Sequence, residues 1–89
     1  MAATQYHLLI EKRAERDYRA LPGDMQTRIR PRLLALAKSP RPASSVKLAG
    51  SEYWRVRCGD YRILYEINDH AKAVRLLRIR HRREVYRDI

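Results

Sequence analysis

Arginines in two stretches near the carboxyl end are the residues of this sequence best suited to chemistry on an anion. The chain has 16 Arg and 4 Lys against 10 Asp and Glu, which gives a net charge of +10. A guanidinium makes paired hydrogen bonds to a phosphate and stays protonated near neutral pH, so it stabilises negative charge but does not accept a proton. This charge balance favours an acidic partner such as a nucleic acid.

Two titratable side chains, His81 and Tyr86, follow in the arginine-rich carboxyl-terminal stretch. The surrounding positive charge favours a neutral imidazole and a phenolate, both of which can accept a proton. Two alternatives stay open, because His81 could only hydrogen-bond the end of a strand and Tyr86 could stack on a base. The three His lack metal-ligand spacing and there is no tight acidic cluster, so we expect no metal and no cofactor.

A predicted β-hairpin positions the first group of arginines. Residues 52–58 and 61–67 alternate between apolar and polar side chains around a Gly59-Asp60 turn. A two-residue turn pairs residue 57 with 62, 55 with 64 and 53 with 66. One face then carries Tyr53, Arg55, Arg57, Arg62, Leu64 and Glu66. Opposed like charges destabilise a sheet by a few tenths to about 1 kcal/mol, which favours an anionic ligand over this face; a solvated basic face is the alternative.

The remaining patterns predict one domain over 1–89. In order, we expect a strand over 6–10, a helix over 11–21, a second helix with Asp24 as N-cap that ends before Ser39, a loop over 39–51, the hairpin, and a strand over 73–80. This β-α-α-β-β-β order predicts an α+β fold, with a helical pair packed on a mainly antiparallel four-stranded sheet. Pro31, inside the second helix, predicts a kink or a broken first turn.

The compartment follows from cysteine usage and hydropathy. Cys58 is the only cysteine, which excludes a disulfide within the chain and favours a reducing interior. The amino end does not have the pattern of a signal peptide, and no stretch approaches the roughly 18 apolar residues of a spanning helix. We therefore expect a cytoplasmic protein that does not bind a membrane.

Several sequence blocks together resemble the RelE group of the RelE/ParE toxin superfamily over nearly the whole chain. These are the order of the predicted strands and helices, the tetrapeptide Lys47-Leu48-Ala49-Gly50, the segment YWRVRCGDYRILYEI over 53–67, and the segment HRREVY over 81–86. The resemblance implies a type II toxin that cleaves mRNA in the ribosomal A site. Attack of the ribose 2′-oxygen would leave a 2′,3′-cyclic phosphate and a 5′-hydroxyl without a metal. It also implies a cognate acidic antitoxin, similar to RelB, and contact with ribosomal RNA.

The resemblance also implies which residues act. It assigns catalysis to Arg55, Arg57, Arg62, Arg82 and Tyr86, to which the charge argument adds His81; RNA binding is predicted for Tyr53, Lys47, Arg80 and Arg83. One branch of the family has lysines where Arg55 and Arg57 stand. A lysine with a lowered pKa can accept a proton, but an arginine stays protonated near neutral pH, so Arg55 and Arg57 can only stabilise negative charge. Two alternatives remain: a ParE-like toxin that inhibits gyrase, and a non-catalytic relative that binds RNA or an antitoxin.

Overall fold

A computed structural model describes residues 5–83, which form two helices and five strands. In chain order, the elements are β1 (His7–Ile10), α1 (Lys12–Arg19), α2 (Gly23–Lys38), β2 (Val46–Lys47), β3 (Tyr53–Cys58), β4 (Tyr61–Asn68) and β5 (Ala73–His81). The strands form one sheet in the order β1-β5-β4-β3-β2. Among the strands of residues 5–83, only β1 and β5 pair in parallel, so the predicted α+β class with a mainly antiparallel sheet is confirmed.

The sheet has five strands rather than the predicted four. The additional strand, β2, lies within the predicted loop and adds to the edge of β3, where Val46 pairs with Arg55 and Lys47 with Trp54. Two residues are too few to show an alternating pattern, so this strand depends on the neighbouring β3 rather than on a signal of its own.

Both helices pack on one face of the sheet, called here the helix face. The predicted apolar stripe of α2 is buried, and its members are Met25, Ile29, Leu33, Leu36 and Ala37. The helix begins at Gly23 after Pro22, so the predicted N-cap Asp24 instead lies in the first turn. A carboxylate there interacts favourably with the positive end of the helix dipole. The predicted broken turn at Pro31 is also wrong, because α2 runs without interruption through this exposed position.

The predicted hairpin register between β3 and β4 is confirmed. Cys58 pairs with Tyr61 and Arg57 with Arg62, as a two-residue turn requires. Gly59 has a φ of 62°, a conformation that glycine adopts without steric cost. The alternate residues Val56, Cys58, Ile63 and Tyr65 are buried on the helix face.

A β-bulge interrupts the pairing of β4 with β5. Leu64 pairs with Arg78, but the next residue, Tyr65, pairs with Leu76, so Leu77 is an extra residue on β5. Before and after the bulge, Val74, Leu76 and Ile79 are buried on the helix face. The bulge thus keeps apolar residues on the helix face even though Leu76 and Ile79 are three residues apart.

Candidate nucleic-acid interface

Three arginines lie side by side on adjacent strands of the face opposite the helix face. Arg57 on β3 pairs with Arg62 on β4, and Arg62 pairs with Arg80 on β5. Cross-strand neighbours have Cα atoms about 4.5 to 5.5 Å apart, so the three arginine side chains start from neighbouring positions on one face. Arg57 is exposed, while Arg62 and Arg80 are half-buried. We call Arg57, Arg62 and Arg80 the arginine row, and the sheet face that carries it the arginine face.

The positive charge of the arginine face is concentrated at the hairpin-turn end of the sheet. At the other end, Tyr53 pairs with Glu66, which in turn pairs with Arg75. The Arg75 guanidinium contacts the Glu11 carboxylate at 2.7 Å and the Glu66 carboxylate at 3.9 Å. An anionic ligand is therefore attracted to the arginine row rather than to the whole face.

Between these two ends, the arginine face has an apolar centre. Leu64 is only 3% exposed although its register places it among the arginines. Its cross-strand partners are Arg55 and Arg78, and the half-buried Leu77 is the bulge residue beside it. A desolvated centre strengthens the interaction of neighbouring guanidinium groups with an anion, since water screens them less.

His81 lies on the opposite face of the sheet from the arginine row. It pairs with Tyr61 on the helix face, and the two rings meet edge to face with centroids 5.4 Å apart. Its Nδ1 accepts a hydrogen bond from the backbone N–H of Arg83 at 3.3 Å. By its register, His81 therefore does not share the face of the arginine row.

The other predicted site residues lie at several places. Arg55 and Tyr53 share the arginine face, whereas Lys47 pairs with Trp54 and so lies on the helix-face side of β2. Arg82 and Arg83 follow β5 in a turn, and the Arg82 N–H donates to the Asp60 carbonyl at 2.7 Å, which places this turn beside the hairpin turn. Tyr86 lies outside the described residues.

One contact near the arginine row was missed from the sequence. Asp17 on α1 forms an ion pair with Arg78 at 2.8 Å, and both side chains are largely buried. The residues are 61 positions apart, and no local pattern links them. The one signal that points to such a pair is an acidic residue on the inner side of a helix, where a charged side chain is rarely buried without a partner.

Within the described part of the chain, no group of three or more His, Cys, Asp or Glu side chains is arranged to hold a metal ion. No helix among residues 5–83 is long and apolar enough to span a membrane.

Comparisons with solved structures show the same fold. The archaeal RelE–RelB complex from Pyrococcus horikoshii has a chain 27% identical to this one, with a TM-score of 0.78, covering 88% of this chain and 96% of that chain. A chain of the RelBE2 toxin–antitoxin complex from Mycobacterium tuberculosis is 24% identical, with a TM-score of 0.77 and coverage of 90% and 94%. A chain of the intact E. coli RelBE complex is 24% identical, with a TM-score of 0.72 and coverage of 83% and 93%.

The comparison with curated proteins gave no match. A family model described as the ParE toxin of type II toxin-antitoxin system, parDE, matches residues 8–86. This match covers the whole fold except His7, the first residue of β1, and it includes the whole arginine row. The chain therefore belongs to the ParE toxin family of type II toxin–antitoxin systems and, by its fold, is a RelE-like member of the RelE/ParE superfamily.

Proposed function

We propose that this toxin is a metal-independent endoribonuclease that cleaves mRNA in the ribosomal A site. The observation that carries the proposal is the arginine row, in which three guanidinium groups on adjacent strands can surround one phosphate. Guanidinium groups bind phosphate oxygens through paired hydrogen bonds, and an RNA backbone offers such groups at every nucleotide. A phosphate over the row would add favourable charge-assisted contacts on a face where arginines pair with arginines.

In the proposed reaction, the ribose 2′-oxygen attacks the adjacent phosphorus and the bond to the 5′-oxygen breaks. The products are a 2′,3′-cyclic phosphate and a 5′-oxygen, which takes a proton from water to become the 5′-hydroxyl. Negative charge builds up on the phosphate oxygens and on the leaving oxygen, and the arginine row together with Arg55 stabilises this charge. Arginine does not accept the proton of the 2′-hydroxyl at neutral pH, so another group must do so.

Tyr86 is the proposed proton acceptor. It follows Arg80 by six residues in the arginine-rich tail, and a phenolate can accept a proton, which an arginine cannot. The alternative acceptor, His81, lies on the helix face by its register, opposite the face that carries the arginine row. Tyr53, on the arginine face at the far end from the row, is proposed to stack on a base of the bound RNA.

The second partner is a cognate antitoxin. The Pyrococcus, Mycobacterium and E. coli chains of similar fold come from complexes of RelE-type toxins with RelB-type antitoxins. A net charge of +10 favours an acidic antitoxin, and we propose one that is partly disordered alone and folds over the toxin.

The test is cleavage of a defined mRNA on purified translating ribosomes, with the new RNA ends mapped and their chemistry determined. We expect cuts that carry a 2′,3′-cyclic phosphate, and a loss of about 10² to 10³ in rate for Arg62→Ala, because one charge-stabilising group is removed. Arg13→Ala is the matched control, since Arg13 is an exposed arginine on α1, across the sheet from the row. Intact mRNA in the presence of folded wild-type protein would contradict the proposal.

A second candidate function is gyrase inhibition, which the match of the ParE family model favours. The arginine row has no evident role in that function. Supercoiling by purified gyrase distinguishes the two: inhibition of gyrase together with intact mRNA would establish the ParE-like activity, and uninhibited gyrase with cut mRNA would establish the ribonuclease.

A further inference from the structure

The carboxylate of Asp17 holds the outer edge of β5 just after the bulge. Its Oδ2 accepts hydrogen bonds from Arg78 Nε at 2.8 Å and from the backbone N–H of Ile79 at 2.9 Å. Its Oδ1 accepts a third, from Arg78 Nη2 at 3.2 Å. The side chains of Arg78 and Asp17 are only 13% and 16% exposed, so these charged hydrogen bonds are shielded from water.

This part of β5 has no strand on its outer side among the described residues. β1 pairs with β5 only from Ala73 to Leu76, after which the chain leaves β1 and enters α1. From Arg78 onward, the inner edge of β5 pairs with β4, while on the outer edge the Ile79 N–H donates to the Asp17 carboxylate.

The position of the bulge decides which face Arg80 occupies. Successive side chains of a strand point to opposite faces, so a shift of one residue exchanges the faces of every residue after the shift. With Leu77 as the extra residue, Arg80 lies opposite Arg62 in the arginine row and His81 lies on the helix face. A ladder that resumed one residue earlier or later would move Arg80 to the helix face and His81 to the arginine face.

We propose that Asp17 locks the register of β5 and so keeps Arg80 in the arginine row. It binds the two residues that directly follow the bulge, one through its side chain and one through its backbone, and this fixes where the ladder resumes. Asp17 is thus a positioning residue that acts through Arg80, and its role in RNA binding rests on the proposed function.

The test is a double-mutant cycle on RNA affinity. The probe is a labelled single-stranded oligoribonucleotide, and the variants are Asp17→Asn, Arg80→Ala and their combination. We expect Asp17→Asn to weaken binding about tenfold in the wild-type background and not at all in the Arg80→Ala background, because coupled residues do not act additively. Equal weakening in both backgrounds would overturn the proposal.

Glu15→Gln is the matched control. Glu15 lies on the same helix and forms an exposed ion pair with Arg19, so its change removes one carboxylate charge without touching β5. We expect it to leave the RNA affinity within about twofold of the wild type, as exposed ion pairs contribute little. Asp17→Asn keeps the size of the side chain and one of its oxygen atoms. This variant is therefore more suitable than Asp17→Ala for a test that needs a folded protein.

A second measurement is independent of RNA. NMR cross-strand contacts between β4 and β5 report whether residue 62 lies opposite residue 80. In the wild type these contacts should be strong, and in Asp17→Asn they should weaken or be replaced by those of a shifted register, while β3–β4 contacts persist. Unchanged β4–β5 contacts would overturn the register lock. A wild-type protein with this register that does not bind the oligonucleotide would contradict only the RNA-binding role of Arg80, and intact mRNA on ribosomes would contradict the proposed function.

Discussion

Arg57 on β3 and Arg62 on β4 are direct cross-strand partners, which places two positive charges on the same face of the sheet. Arg57 lies two residues before Gly59 of the turn. A shift in the β3–β4 register would move the buried residues off the helix face, so the two arginines remain paired. We interpret the pair as a cost in stability that the binding of an anion offsets.

Arg57→Gln is therefore expected to stabilise the folded protein. Removing the repulsion should raise the free energy of unfolding by a few tenths to about 1 kcal/mol. The backbone contact at this position should persist, because Arg32 donates to the Arg57 carbonyl oxygen and not to its side chain. Urea unfolding of the two proteins at low salt measures the effect, and it should shrink as salt is added; a destabilised variant would contradict the interpretation.

The same variant is expected to bind RNA with a weaker dependence on salt. Loss of one phosphate contact to single-stranded RNA should make the negative slope of log affinity against log salt concentration shallower by about 0.7. Arg13→Gln, which removes an exposed arginine from α1, should leave the slope unchanged. Affinities measured across a series of salt concentrations test this, and identical slopes for wild type and Arg57→Gln would remove Arg57 from the phosphate contacts.

Part of this site could be predicted from the sequence because it depends on local rules. The Gly59-Asp60 turn and the alternation on either side of it determine the β3–β4 register, and with it the shared face of Arg55, Arg57 and Arg62. The apolar stripe of α2 could likewise be read from helical spacing.

The rest depends on contacts between distant segments. The place of Arg80 in the row and of His81 on the opposite face follows from the bulge at Leu77, which has no signature in the sequence. The two-residue β2 forms only because β3 lies beside it. Asp17 meets Arg78 only once α1 has packed on the sheet.

Tyr65→Phe is expected to destabilise the fold. The fully buried Tyr65 hydroxyl donates to the Pro40 carbonyl at 2.7 Å, and burial raises the pKa of this phenol, so the bond stays formed at neutral pH. Without the hydroxyl, the carbonyl loses its partner, at a cost of about 1 to 2 kcal/mol. Chemical unfolding measures the loss. Tyr18→Phe is the control with a smaller expected effect, since the Tyr18 hydroxyl reaches the Gln26 carbonyl at only 3.3 Å.

Asp69→Asn is expected to lower the melting temperature at neutral pH but not in strong acid. The Arg41 guanidinium and the Tyr6 hydroxyl both donate to the Asp69 carboxylate, at 2.8 Å and 2.6 Å, and together they lower its pKa from 3.8 to about 2. Because the pKa is lower in the folded protein than in the unfolded chain, the contribution to stability is complete above about pH 4. It is lost as the pH falls through 2.

The melting temperatures of wild type and Asp69→Asn should therefore differ at neutral pH and converge between pH 4 and 2. Glu52→Gln, at an exposed position in the β2–β3 loop, controls for the loss of a negative charge from a strongly basic protein. A difference that persists below pH 2 would mean that Asp69 acts through packing of the β4–β5 turn. A difference absent at neutral pH would mean that the ion pair with Arg41 does not stabilise the fold.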